Sequence, residues 1–311
     1  MNNAQSLESR AEFIDALHNL PEGEFSKRAS ESGARTIRLQ LREKGIQRAK
    51  ILPFEPLGDN ARLIPHQTDD DLPFLLEEME ASQAGAVTIG YNGTTELRRI
   101  SGKRFVVRFH RNITPKFWKH AREFATWKTD LKALTINNAL LDLETQEDAN
   151  WFRACNVIVG ALNAAGSDGK KRHRGSTGGV TRANWRAATQ HFDTFKLRPG
   201  VFICNWTTIG LPQDWQRTEW GGDGAEMNLK EGLKDFNPFG VKHAVTIKSE
   251  LVPNRILHMY APTDFLGVAY EMLPTQCYVK KEDDIIQTHA DETVGFAIAN
   301  INAVGKWTFA A

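Results

Sequence analysis

Nine histidines, three cysteines and a few carboxylate pairs are the side chains of this 311-residue chain that could do chemistry. The histidines form neither HExxH nor a short HxxxH pair that would set two ligands on one helix face. His110 and His120 straddle a change from strand-like to helix-like text, so both are expected to be structural or exposed. Cys155, Cys204 and Cys277 are odd in number and far apart, which argues against a disulfide framework and a CxxC metal site. Buried, inert thiols are the expectation. Neither a GxSxG elbow nor a GxxxxGK[ST] loop occurs, and the glycines of WGGDGAEMNLKEG lack the GxGxxG order after a strand. Asp283-Asp284 and Asp69-Asp70-Asp71 are adjacent in sequence, and adjacent side chains on a strand point to opposite faces, so they read as solvated turns rather than acid/base couples. No catalytic, cofactor-binding or metal-binding residues are predicted.

The glycine-rich loop GSDGKKRHRGSTGG, residues 166–179, has the local charge density to touch phosphates through Lys170, Lys171, Arg172 and Arg174. An exposed polar loop is the commoner meaning of such a run. The chain as a whole carries 39 basic and 38 acidic residues, net +1, too balanced for a protein whose main task is holding nucleic acid by counterion release. Any nucleic-acid contact must therefore be local.

At 311 residues the chain exceeds the roughly 250–300 that one hydrophobic core usually serves, so two sub-domains or one core with extensions are expected. With 41% hydrophobic and 25% charged residues it has the composition of a soluble globular protein, and no apolar run approaches bilayer length. Glu8 and Glu12 interrupt the segment where a signal peptide would be apolar, so synthesis is expected to finish in the cytosol. Eight tryptophans and seventeen phenylalanines suit subunit interfaces as well as cores.

The elements follow from pattern. Leu7, Ala11, Ile14 and Leu17 share a helical face, but past Leu20 the periodicity dissolves. Pro53, Pro56 and Pro65 favour an extended course, so residues 1–80 read as an arm lying on another surface. From Ala84 to Arg111 the text is β, with Asn92-Gly93 as a tight hairpin turn and Phe105, Val107 and Phe109 forming one apolar face. Its cations, Arg98, Arg99, Lys103, Arg104 and Arg108, are too many for a hairpin folded onto its own core. Thr114-Pro115 then predicts a helix start, with a stripe through Phe117, Ala121, Phe124, Trp127, Leu131 and Leu134. Thr145-x-x-Asp148 predicts a second helix. ANWRAATQHFDTF reads as a short helix, GVFICNW as a buried strand, HAVTIKSELV and RILHMYA as strands paired around Pro253-Asn254, and residues 265–280 and 284–307 as further strands. Helices in the middle and a strand-rich second half give an α+β class.

This order of an extended arm, a long charged hairpin, a helix region after TPKFWK and a strand-rich half ending in FLGVAYEM and QCYVKKEDDIIQTHADETVGFAIANINAV resembles the major capsid proteins of tailed bacteriophages, a fold shared with encapsulins. The resemblance covers most of the chain and rests on order and texture rather than on a short diagnostic motif. It implies an N-terminal arm (1–80), an extended hairpin loop (81–112), a peripheral domain with a long spine helix (113–182 and 266–297) and an axial domain (183–265 and 298–311), whose sheet the last strand would close. Asn300 and Asn302 would then need only backbone-satisfying roles.

The function implied is that of a non-enzymatic virion protein, assembled in the host cytoplasm, that forms the hexamers and pentamers of an icosahedral head enclosing double-stranded DNA without reading its sequence. It implies no cofactor, no membrane and a portal protein, and, since the first 80 residues hold no sustained heptads, a separate scaffold or a precursor segment absent from this sequence. The five hairpin cations would contact neighbouring subunits. An encapsulin-like compartment is the alternative within the fold, and a cytosolic α+β enzyme the alternative outside it.

Overall fold

A computed structural model describes residues 9–58, 61, 63–65, 72–79, 103–126, 130–214 and 240–310. The chain enters through α1 (Arg10–Asn19), started by a capping box between Ser9 and Glu12, and α2 (Glu22–Lys44). A π-helical turn, Gln47–Ile51, leads to short β1 (Glu55–Pro56) and β2 (Leu63–Ile64). The segment after Leu20, expected to be an extended arm, is thus largely a 23-residue helix. Its buried face runs Phe25, Ala29, Gly33, Ile37, Leu41, one residue every fourth position. Alanine and glycine add little hydropathy to such a stripe, so the sequence hides it. Their small size serves packing: a Cβ on Gly33 would stand 2.8 Å from the Cys277 Sγ. Phe25, Ile37 and Leu41 are completely buried, each worth about 1.5–3 kcal/mol.

The first sheet has the order β1-β10-β11-β4-β3-β2, with β5 also paired to β11. Its strands are β3 (Phe74–Met79), β4 (Lys103–Ile113), β5 (Phe117–His120), β10 (Gly267–Glu282) and β11 (Ile285–Ile298). β10 and β11 form a long antiparallel pair that turns at Asp283-Asp284, where Asp283 takes a positive φ of 51°. That dipeptide is the turn expected of it; Asp69-Asp70-Asp71 lies outside the described residues. Thr114-Pro115 starts no helix. The residue before a proline is pushed toward β geometry, and Thr114 exchanges hydrogen bonds with Ala290 while 117–120 pair with β11. A short α3 (Ala121–Thr126) follows. The spine is a single helix, α4 (Leu131–Val159), capped by the Asp130 carboxylate on the amides of Lys132 and Ala133, so Thr145 lies inside it rather than opening a second helix.

The second sheet has the order β6-β12-β9-β7-β8. Its strands are β6 (His173–Ser176), β7 (Val201–Asn205), β8 (Lys242–Thr246), β9 (Ile256–Tyr260) and β12 (Val304–Phe309), with α5 (Arg182–Thr189) and a 3-10 turn, Gln190–Phe195, packed beside it. β8 and β9 were expected to pair with one another; instead β7 runs between them, parallel to β8 and antiparallel to β9. β6 pairs with β12, so the segment after the spine joins this sheet. β12 does complete a sheet, between β6 and β9.

One core lies between the first sheet and α1, α2, α3 and the N-terminal half of α4, through Ile136, Leu140 and Leu143. The other surrounds the second sheet and takes Trp151, Phe152, Cys155 and Val159 from the C-terminal half of the same helix. The spine thereby fixes the two sheets relative to one another.

Candidate assembly surfaces

The hairpin is built from β3 and β4, whose register sets Leu75 against Val107, Leu76 against Val106 and Glu78 against Arg104. Its first arm is therefore 74–79, upstream of the Ala84 start read from the sequence; residues 80–102, with Arg98, Arg99 and the Asn92-Gly93 turn, lie outside the described residues. Phe105, Val107 and Phe109 do share a face, as their alternation predicts, and that face is covered by Leu75, Leu57, Tyr270 and Met272 of the same chain. The Tyr270 hydroxyl donates to Glu77 at 2.9 Å. The base of the hairpin is thus docked on its own subunit, contrary to the reading from charge count, which left out the acids of the other arm.

The opposite face is open. Leu76 and Val106 are 39% and 44% exposed, and Arg104 and Arg108 flank Val106 on the same side of β4. An apolar pair flanked by two cations has the composition of an interface centre and its rim. Only the backbone of Lys103 is described, at the end of β4. Other large apolar side chains are exposed on the spine, Leu134, Leu141 and Val157, and at Trp118 and Trp206.

A buried ion cluster ties the N-terminal segment to the spine and the first sheet. Arg48, from the π-helical turn, donates to Glu147 of α4, to Glu292 of β11 at 3.1 Å and to Glu271 of β10 at 3.3 Å. Thr275 and Asn112 each donate to Glu292 at 3.0 Å. One helical turn away, Lys248 bridges Glu144 and Asp148 at 2.9 and 2.7 Å, and Asp148 accepts the Gln47 amide at 2.9 Å. Burial opposes the Arg48 charge, but Glu147 and Glu292 outweigh it and hold the guanidinium above its ordinary range. Burial, then Glu292, pushes Glu147 well above the usual carboxylate range, against the pull of Arg48. Sequence reasoning missed this site. In β11 Glu292 is the most buried acid, Asp291 pairs with Arg111, and His289 stacks on Tyr278. Glu292 inside an apolar strand was the available signal.

The basic loop divides. Arg172 is buried and spent internally, donating to Asp168 at 2.6 Å, to Asn302 at 2.7 Å and to the Ile301 carbonyl at 3.0 Å. Its guanidinium holds the Asp168 carboxyl below the ordinary range. Asn302 therefore does more than satisfy backbone, while Asn300 caps the Ile301–Ala303 turn. Lys171 is exposed, and Lys170 and Arg174 are partly so.

Cys155, Cys204 and Cys277 are free and buried, and burial pushes each thiol up to about 12. His110 is half-buried beside Phe296 and His120 stands near Asp284, on separate strands. Among the described residues no group of three or more His, Cys, Asp or Glu could hold a metal ion, and no helix is long and apolar enough to cross a membrane.

No family model and no curated protein matches the sequence. Solved structures do match the fold. A chain of the capsid of a native GTA particle superposes with a TM-score of 0.56 at 10% identity, over 83% of this chain and 95% of that one. A chain of Microbacterium phage Oxtober96 gives 0.55 at 12%, over 84% and 94%. A chain of the virus-like particle from Pyrococcus furiosus gives 0.51 at 12%, over 88% and 98%. The chain thus has the major capsid fold of tailed bacteriophages, as the order of its segments predicts.

Proposed function

We propose that the protein is the structural subunit of a closed icosahedral shell, a phage head enclosing double-stranded DNA, rather than an enzyme. The observation that carries this reading is a fold shared over 83–88% of this chain with a capsid chain of a GTA particle and a virus-like particle chain, 95–98% of whose length is matched. The uncovered Leu76–Val106 pair supports it, because a subunit that assembles must leave apolar surface open until its neighbours arrive. In this reading the first sheet and the spine form the peripheral unit, the second sheet the axial unit, and Arg104 and Arg108, with Arg98, Arg99 and Lys103, reach neighbouring copies. Hexamers and pentamers of one chain, a separate scaffold and a portal complete the particle, which assembles in the host cytoplasm and holds its genome by closure.

Electron microscopy and size-exclusion chromatography of the overexpressed protein test the proposal. Capsomers or megadalton shells are expected, and a small defined oligomer that never closes overturns it. The second reading within the same fold is an encapsulin-like compartment enclosing protein cargo, and a virus-like particle is among the similar structures. Nucleic acid recovered from purified, nuclease-treated particles separates the two.

A further inference from the structure

The chain is nearly neutral overall, but its charge is not evenly spread. Residues 166–200 carry eight Lys or Arg against two Asp, a net of +6 where the whole chain has +1. The fold gathers this segment into one lobe at the β6 edge of the second sheet. Arg174 of β6 donates to the Thr194 hydroxyl at 3.2 Å, joining the strand to the 3-10 turn. Lys170 lies over the Phe195 ring, 5.4 Å from its centroid. Asn184 of α5 donates to the carbonyls of Gly178 and Gly179 at 3.2 and 2.9 Å, pinning the glycine-rich loop to the helix.

Of the two acids, Asp168 is taken by Arg172, which leaves seven cations and Asp193 at the surface. Lys171, Arg182, Arg186, Lys196 and Arg198 are exposed and none is in an ion pair among the described residues. No large apolar side chain is exposed anywhere in residues 166–200. That absence discriminates between partners. Protein interfaces centre on apolar and aromatic anchors with charge at the rim, whereas a phosphate backbone needs only cations and small donors.

We propose that this lobe is a sequence-independent contact for the phosphate backbone of a DNA duplex. The surface stands on the charge and geometry alone; the choice of duplex DNA as its occupant rests on the shell reading. The contact is weak and reversible, since cations spread over a loop, a helix and a turn track a backbone rather than clamp one group, and retention of a genome stays with shell closure.

Fluorescence anisotropy of the full chain with a short random-sequence duplex, over a range of salt, tests it. Each phosphate contact adds a slope of about −0.9 in log affinity against log salt. The triple variant Lys171→Glu, Arg182→Glu, Arg186→Glu alters exposed positions only, and an unchanged thermal melt checks its fold. It is expected to bind at least roughly tenfold more weakly at low salt with a slope shallower by about 2–3, and to assemble as the unsubstituted chain does. Unchanged affinity and slope overturn the proposal and leave the shell reading intact. Lost assembly with unchanged DNA affinity also overturns it, assigning the lobe to a contact between copies. If the unsubstituted chain forms no shell yet binds the duplex with this salt dependence, the shell reading falls and the lobe keeps its assignment.

Discussion

The Arg48 guanidinium meets the Glu292 carboxylate at 3.1 Å across 244 residues of sequence, fastening the N-terminal segment to the penultimate strand. Both side chains are almost wholly removed from solvent. Deleting Arg48 leaves the buried Glu292 carboxylate without its cation, at a cost of about 3–5 kcal/mol. Arg48→Ala is therefore expected to lower the unfolding free energy by that amount in urea denaturation. A change within about 0.5 kcal/mol, the usual range of a surface substitution, would show that the cluster does not fasten the segment.

Glu147 gives the same cluster a pH dependence. Its carboxyl is raised by burial and by Glu292, so the folded state keeps a proton that the unfolded chain releases above the ordinary carboxylate value. The contribution of Glu147 is then fully present below the ordinary carboxylate value and is lost as pH rises through the interval up to Glu147's own value. The slope is at most about 1.4 kcal/mol per pH unit for one proton. Glu147→Gln keeps the shape and stays neutral, so it is expected to flatten this part of the profile and raise stability at neutral pH. A profile identical to that of the unsubstituted protein counts against the assignment.

What was legible in the sequence was whatever a period or a turn residue reports. The alternation of Phe105, Val107 and Phe109, the buried strand at Val201–Asn205 and the turn at Asp283-Asp284 were all readable and are all present. The α2 helix was hidden because Ala29 and Gly33, which let it approach Cys277, contribute almost nothing to a hydrophobic stripe. β5 carries a helical spacing because Phe117 and Ala121 happen to lie four apart, while the decisive fact, pairing with β11, is a contact with residues about 170 positions away. The Arg48 cluster is long-range in the same sense: four charged residues from four elements, none of whose sequence neighbours announces the others.

Two histidines in the second sheet's core are expected to limit stability in acid. His191 and His258 are essentially unexposed, and neither ring has a hydrogen-bond partner among the described residues. Burial, aided by Arg174, pushes His191 down to about 4, and burial with Lys306 pushes His258 down to about 3. Both are neutral in the fold, while the unfolded chain binds protons below about 6.5. Their contribution is complete above that pH and is lost as pH falls toward 4 and 3, at up to about 1.4 kcal/mol per unit for each ring. His258→Gln is expected to move the onset of acid unfolding to lower pH, read by circular dichroism during titration. An onset that stays in place would put the acid sensitivity elsewhere.

The basic loop should separate by residue. Replacing Lys170, Lys171 and Arg174 with Gln is expected to leave folding, assembly and encapsidated DNA in place, because in the proposed shell retention depends on closure. Arg172→Gln is expected to lower the melting temperature instead, since Asp168, Asn302 and the Ile301 carbonyl lose their shared donor. Heads of the triple variant that assemble but contain no DNA would make this loop the genome's anchor.

The open face of the hairpin is the place where folding and assembly come apart. Leu76 and Val106 oppose one another across β3 and β4, on the side away from Val107 and its own core. Because both are partly exposed already, at 39% and 44%, Leu76→Asp with Val106→Asp, or Arg108→Glu beside them, is expected to cost the unassembled subunit little. Surface changes of this kind stay within about 0.5 kcal/mol, so the melting temperature of the unassembled chain is expected to hold within a few degrees. If, as proposed, the same positions lie against another copy in a shell, a desolvated carboxylate there costs several kcal/mol per subunit and the cost recurs at every equivalent contact. The double Asp variant is therefore expected to stop at the unassembled subunit or capsomer by size-exclusion chromatography, and Arg108→Glu to assemble only over a changed range of salt. Normal shells from the double variant would move the assembly contact off this face. A collapsed melting temperature would mean instead that Leu76 and Val106 support the subunit's own fold.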